Sequence, residues 1–329
     1  MSDSHSFRPR FDPAQPDPIR PLWSVMVPTY NCADHLREAL SSVLAQDRGS
    51  AQMQIEVVDD GSVDDPAAVV REIAPDRVRL YTQPENVGHT RNFNTCIARA
   101  RGHLVHILHA DDAVRDGFYR TMQQPFHDHP EIGAAFCRHI YVDEAGAETA
   151  AARLHRTASG IFPDAAYRIA VDVGVQPPAV VVRRSTYERL GGFDIRPRVA
   201  GEDLEMWVRI AAHFPVWYET EPLAEYHRRP GSLISSSTRS GAAIRNYRAT
   251  IDLLLEHLDP GRRPQAFRIA RRRCADWALL QARELGEAGD RSAALVQLRE
   301  ALRSQHSPRV AARTAKAAGR LLLARGAGR

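Results

Sequence analysis

The sequence predicts an α/β domain built on a mainly parallel sheet flanked by helices, followed by a C-terminal α-helical domain. Three observations carry this reading. Between Leu22 and Leu108 short apolar runs alternate with amphipathic helical periods, the pattern of parallel strands joined by right-handed crossovers. Polar, carboxylate-rich motifs follow those runs directly, at the strand ends where ligands of open α/β sheets bind. Beyond about Ser240 only helical periods remain.

Residues 1–20 hold four prolines, few large apolar groups and no periodicity, and read as a disordered lead-in. The first apolar run, residues 22–27, reads as a buried strand, and Leu36, Leu40, Val43 and Leu44 share one face of the helix after it. Residues 55–58 give the next strand, and a helix runs through Val70 and Ile73. A third strand at 78–81 precedes a helix over 93–100, and residues 103–108 form a fourth strand. In the second half, residues 132–142 read as a strand turning at 144–146, and 179–182 as a buried strand. Ser185 and Glu188 read as a capping box opening a helix that Gly191 and Gly192 end. Residues 202–212 form an amphipathic helix. The remaining helices carry Ile251, Leu254, Leu255 and Leu258, then Trp277, Leu280 and Leu285, then residues 293–302, then Leu321 to Leu323. The pair about residues 286–290 suggests one tetratricopeptide-like hairpin. The domains expected are therefore a lead-in over 1–20, the α/β domain over 21–238 and a basic helical domain over 239–329.

The composition, 43% hydrophobic and 26% charged, is that of a globular protein with a substantial core. There is no apolar run of about 18 residues, and no basic segment followed by an apolar stretch opens the chain. Cys32, Cys96, Cys137 and Cys274 lie far apart with no CxxC pairing, which argues against zinc and fits reduced thiols in the cytoplasm. The charge is uneven. Residues 241–329 hold eighteen basic and eight acidic residues, a net of +10 that leaves −6 on the preceding 240. A basic tail on an acidic body suggests two jobs, or one job near an anionic surface such as the inner face of a membrane, while the same arginines serve equally as a solvated helix face covering the α/β domain. Its arginines are scattered on helices without interleaved aromatics, which argues against nucleic acid.

Four clusters at strand ends carry the chemistry. They are Pro28-Thr29-Tyr30-Asn31, Asp59-Asp60-Gly61-Ser62, the turn Asn86-Val87-Gly88 leading to Arg91 and Asn92, and His109-Ala110-Asp111-Asp112. Singly, a DDGS is a β-turn with a helix cap and an Asp-Asp pair is a turn. Together, on successive parallel strands, they crowd carboxylates around one crevice, where a cation or sugar hydroxyls relieve their repulsion. A glycine turn entering a helix also offers N–H groups to phosphate.

The order P-T-Y-N, D-D-G-S, N-x-G…R-N and A-D-D resembles the inverting family 2 glycosyltransferases, whose catalytic domain has the GT-A fold. The resemblance continues through Gly191-Gly192-Phe193-Asp194 and Glu202-Asp203 to Trp207 and Arg209, and covers about residues 22–236. It implies that Pro28, Thr29, Tyr30, Asp59 and Asp60 hold the nucleoside of a nucleotide-sugar donor. It places Asn86, Gly88, Arg91 and Asp111 against the rest of the donor. Asp111 and Asp112, with His227, would hold Mg2+ or Mn2+ against the diphosphate, and Asp203 would be the general base. Arg91 serves equally as a surface ion-pair partner. Trp207 and Arg209 read as helix packing and a structural ion pair.

The implied reaction is inverting transfer from a UDP-sugar to a hydroxyl of a saccharide or lipid-linked saccharide. Displacement at the anomeric carbon leaves negative charge on a diphosphate, which a cation on carboxylate oxygens stabilises. The attacking hydroxyl gives its proton to a carboxylate. The chain departs from the family pattern at two points. His109 stands where an aspartate is usual, and in Tyr226-His227-Arg228-Arg229 the histidine comes two positions early, so that Arg229 occupies its place as a candidate phosphate clamp. A sugar nucleotidyltransferase would need a Gly- and Lys/Arg-rich loop after the first strand, and a degenerate nucleotide-sugar-binding scaffold would be expected to lack Glu202-Asp203.

Overall fold

The structure, a computed structural model, describes residues 7–13, 20–197, 200–229 and 233–323. The elements run β1 (Trp23–Thr29), α1 (Ala33–Leu44), β2 (Met53–Asp59), α2 (Pro66–Ile73), β3 (Arg79–Thr82), α3 (His89–Arg99), β4 (Leu104–Ile107), β5 (Ala113–Val114), α4 (Phe118–Asp128), β6 (Ala134–Val142), β7 (Glu148–Ala151) and β8 (Gly160–Ile161). After them come α5 (Ala165–Val171), β9 (Val180–Arg183), α6 (Arg184–Leu190), α7 (Glu202–His213), β10 (Val216–His227), α8 (Leu233–Arg239), α9 (Ala242–Leu255), α10 (Arg263–Glu287), α11 (Arg291–Ser304) and α12 (Pro308–Leu323). The chain divides into two compact units. One comprises residues 1–169, 173–196 and 206–228, the other 170–172, 197–205 and 229–329.

The first unit is built on a sheet of order β3-β2-β1-β4-β9-β6-β10-β5, with β7 on β6 and β8 on β10. β3, β2, β1 and β4 are mutually parallel, β9 runs against β4 and β6, and β10 lies parallel to β6. The fold is thus the mainly parallel, helix-flanked α/β domain expected. Every residue of β1 and β2 is buried, because helices cover both faces, and this is why the strands read as unbroken apolar runs. α1 lays Leu36, Ala39, Leu40 and Val43 into the core. Gly102, at the turn into β4, admits no side chain, since a Cβ there would stand 2.5 Å from the main chain of Trp23 and Ser24.

The first four strands fall within two residues of the expected ranges. Two readings need correction. α6 begins at Arg184 after an N-cap Arg183 that makes no side-chain cap, so Ser185 and Glu188 do not form a capping box. Glu188 instead accepts from Arg184 at 2.9 Å. The twelve-residue β10 was not anticipated, since Pro222 lies within it and proline is unfavourable inside a sheet. The structure accommodates it with register shifts on either side of Pro222. Residues 7–13, part of the lead-in read as disordered, make defined contacts. Ile195 N–H donates to Phe7 C=O, Gly192 N–H donates to Pro9 C=O, and Arg8 pairs with Asp194 at 3.0 Å.

The second unit is helical, as expected, and comprises residues 170–172, 197–205 and those from 229 onward. α10 and α11 form the expected hairpin. Gly289, at φ +84°, makes its turn, and Asp290 caps α11 by accepting from Ala293 N–H. Leu321 of α12 packs onto Gly286 of α10 so closely that a Cβ there would meet it at 2.5 Å. The buried Glu300 pairs with Arg248 and Arg303, each at 2.9 Å. No helix among the described residues is long and apolar enough to cross a membrane.

Candidate active site

The carboxyl ends of β1 and β2 lie side by side, with Thr29 opposite Asp59. The chain then turns sharply. Asn31 adopts φ +49° and Gly61 φ +75°, and a Cβ on Gly61 would stand 3.2 Å from Asn86 N. The two turns lock together, since Asn31 N–H donates to Ser62 Oγ and Val63 N–H donates to Asn31 Oδ1.

Asp59 accepts from Ser62 N–H at 3.0 Å. Asp60 accepts from Val87 N–H at 2.8 Å with one oxygen and from Gly88 N–H at 3.0 Å with the other. Asp60 thereby holds the Asn86–Gly88 turn at the mouth of α3. Burial pushes its carboxyl up, against the pull of these two N–H groups, with Asp59 adding to the rise. Thr29 Oγ is buried with no hydrogen-bond partner among the described residues, while Tyr30 is half exposed. Arg91 is exposed on the first turn of α3. The two asparagines after it are structural. Asn92 donates to Val58 C=O at 2.8 Å, and Asn94 both donates to Phe193 C=O and accepts from its N–H.

The loop after β4 is pinned to β1 by Leu108 N–H on Met26 C=O and Ala110 N–H on Pro28 C=O. This brings His109, Asp111 and Asp112 beside Pro28, with one ligand atom from each within 4.8 Å of the others. His109 stacks on Phe93, with ring centroids 4.9 Å apart, and its Nδ1 lies 3.8 Å from Asp112. Asp112 also accepts the main-chain N–H of His227 at 3.0 Å, which joins the end of β10 to this loop. There a second set, Glu38, Glu225 and His227, is equally close. His227 lies 3.5 Å from Glu225 and 3.8 Å from Glu38, and holds the Glu225 carboxyl below its ordinary value.

Carboxylate oxygens with an imidazole suit Mg2+ or, better, Mn2+. Donor atoms on an octahedral cation lie up to about 4.2 Å apart, close to the spread found here, so these residues fit such an ion. Glu38 and Glu225 escaped the sequence reading. One lies mid-helix and the other in the unrecognised β10, so only the fold unites them.

Asp203 lies half-buried in the first turn of α7, within the 197–205 segment that groups with the helical unit. Trp207 packs edge-on against Phe193, as helix packing predicts. The guanidinium of Arg209 donates to the carbonyls of Leu190, Gly191 and Gly192, closing the end of α6.

Residues 24–191 match glycosyl transferase family 2. The chain belongs to that family. An uncharacterized protein of Mycobacterium tuberculosis is 30% identical over 244 residues, covering 70% of this chain and 73% of its own. Two solved structures share the fold. Staphylococcus aureus TarS 1–349 in complex with UDP-GlcNAc has a TM-score of 0.56 at 16% identity, covering 85% of this chain and 90% of that one. The mannosyltransferase PcManGT of Pyrobaculum calidifontis, in complex with GDP-Man and Mn2+, has a TM-score of 0.55 at 22% identity, covering 92% and 81%. The family 2 chain described here is a glycosyltransferase that takes its sugar from a nucleotide-sugar, and its GT-A-like fold is the one expected.

Proposed function

We propose that this family 2 enzyme is an inverting, cation-dependent transferase moving a sugar from a nucleoside-diphosphate donor, a UDP-sugar by preference, to an acceptor hydroxyl. The observation that carries the reading is that the turns after β2 and β4, bearing Asp59-Asp60 and Asp111-Asp112, flank the end of β1, with Asp112 also accepting the main-chain N–H of His227. Pro28, Thr29, Tyr30 and Asp59 hold the nucleoside, the buried Thr29 hydroxyl supplying a polar group with no hydrogen-bond partner among the described residues. Asp60 acts by setting the Asn86–Gly88 turn through the Val87 and Gly88 N–H groups it accepts, so that the α3 N-terminus faces the diphosphate together with Arg91. Asp111 and Asp112 hold Mg2+ or Mn2+ with His109 beside them, and His227 contributes from the second set, which it forms with Glu38 and Glu225. When bound there, the cation supplies positive charge against the diphosphate leaving group.

Asp203 takes the proton of the attacking hydroxyl. One base, one displacement and no enzyme nucleophile invert the anomeric configuration. The acceptor is a saccharide or a lipid-linked saccharide of a growing glycan, approached from a cytoplasmic anionic membrane surface to which the basic helices attach. The complexes of TarS with UDP-GlcNAc and of PcManGT with GDP-Man and Mn2+ support a nucleotide-sugar and a cation at this fold. The test is transfer from a panel of UDP- and GDP-sugars to saccharide acceptors, with the product read by NMR. An anomeric configuration opposite to the donor's supports the reading, and a retained configuration overturns it.

A further inference from the structure

The helical unit encloses the segment that carries Asp203, and the manner in which it does so gives that unit a task. Within the unit, Gly201 takes φ +102° and lies so close to α9 that a Cβ would stand 2.6 Å from Thr250 Oγ. Thr250 is itself fixed, buried and donating to Asn246 C=O at 2.9 Å. One turn on, Glu205 N–H donates to Gly201 C=O, which starts α7. The Glu205 carboxylate is fully buried and meets His257 Nε2, just beyond α9, at 2.9 Å. Asp203 therefore sits between two anchor points, Gly201 on Thr250 and Glu205 on His257, both supplied by the C-terminal helices. Tyr247, one turn before Thr250, packs edge-on against Trp277 of α10 with ring centroids 5.2 Å apart. It is close enough to Asp203 and Glu202 that, after burial, their carboxylates contribute to raising its hydroxyl far above the usual range.

We propose that the C-terminal helices are a positioning device for the general base: His257 and Thr250 fix the Gly201–Glu205 segment so that Asp203 is held in one orientation. The proposal rests on Asp203 being the base. Its physical reason is that a helix start fixed at only one end frays, and the first turn is the part of a helix least held by its own hydrogen bonds. The buried Glu205–His257 contact ties that turn to the C-terminal helices, and removing one member of a buried hydrogen-bonded pair is costly. Displacing a reacting group by about 1 Å costs up to roughly 100-fold in rate.

The test uses the full-length protein carrying His257→Leu, His257→Gln or Thr250→Ala, with Asp203→Asn alongside. Amide hydrogen exchange is followed in peptides covering residues 200–206, with peptides covering 86–92 and 108–112 as internal controls. Rates are measured with the donor and acceptor pair that the wild-type chain turns over. The proposal expects faster exchange in 200–206 alone for His257→Leu and Thr250→Ala. It expects kcat to fall roughly 10- to 100-fold with the donor KM unchanged, and recovery toward wild type in His257→Gln, which keeps a hydrogen bond to Glu205. Unchanged exchange in 200–206 overturns the proposal, and so does faster exchange with kcat within about twofold of wild type. Asp203→Asn separates this from the reading beneath it. If that variant keeps wild-type turnover, Asp203 is not the base, whatever His257 does to the segment.

Discussion

Acidification should strike this fold through His106, a fully buried residue of β4. Its ring is used at both nitrogens, with Nε2 3.0 Å from Pro178 C=O and Nδ1 3.2 Å from the Tyr119 hydroxyl. One neutral tautomer satisfies both, donating from Nε2 and accepting at Nδ1. Burial depresses its pKa from 6.5 to about 4. The native state therefore binds fewer protons than the unfolded chain between those values, so His106 contributes stability that is present above pH 6.5 and lost as pH falls toward 4. At about 1.4 kcal/mol per unit, acidification from about pH 7.5 to about pH 4.5 removes roughly 2–3 kcal/mol through this one residue. His139, also buried and depressed to about 4, adds a loss of the same sign. His106→Leu removes the titration but strands the Tyr119 hydroxyl and the Pro178 carbonyl, at a cost of about 1–3 kcal/mol each. The assay is urea unfolding at a series of pH values. The variant should be the less stable near pH 7.5, and its deficit should shrink by roughly 2–3 kcal/mol by pH 4.5. Parallel loss of stability in the two proteins would refute the assignment of a neutral, doubly bonded His106.

Gly192→Ala should destabilise the fold by about 1–3 kcal/mol in chemical unfolding, because its Cβ would overlap Asn94 Oδ1 and break the paired bonds of Asn94 with Phe193. Loss of no more than about 0.5 kcal/mol would show that the clamp is slack. Asp203→Asn should lower turnover roughly 10²- to 10⁴-fold while donor binding survives, a result that loss of donor binding would contradict. Arg268, Arg299 and Lys316 are exposed on the C-terminal helices. The wild-type protein should co-sediment with anionic vesicles at low salt, and replacing all three by glutamate should weaken that by about 1 kcal/mol or more per residue. Binding that survives the charge reversal would leave the membrane reading without its basis.

What the sequence made legible followed from local physics. β1, β2 and β4 are buried runs between helices, so hydrophobic pattern alone located them, and the motifs at Pro28, Asp59 and His109 were visible because each directly abuts such a run. β10 was hidden because Glu219, Glu221, Pro222 and Glu225 break the apolar pattern, and only the shifted register on β6 allows them in a strand. Glu38 could not be read as a companion of His227, since residues almost two hundred positions apart meet only once α1 and β10 are in place, and Glu225, two residues before His227, shares its face only because β10 is a strand. Arg209 shows a finer limit. A structural role was legible for it, but its carbonyl partners at the end of α6 depend on where that helix stops. Thr250 and His257 carried no sequence signal, because their role lies entirely in what they touch.

The account stands on the carboxylate cluster at the ends of β1, β2, β4 and β10 being a nucleoside-diphosphate and cation site. Thermal unfolding of the wild-type protein and of Asp111→Asn, with UDP or GDP in the presence of Mn2+ or of excess EDTA, tests this directly. Nucleotide at about a hundred times its dissociation constant stabilises by roughly 2.7 kcal/mol, which for a unit of this size is a rise of roughly 5–10 °C in Tm. The account predicts that rise for the wild-type protein with Mn2+, little of it in EDTA, and little of it in Asp111→Asn under either condition. An equal rise in EDTA, or no rise with either nucleotide, would contradict it.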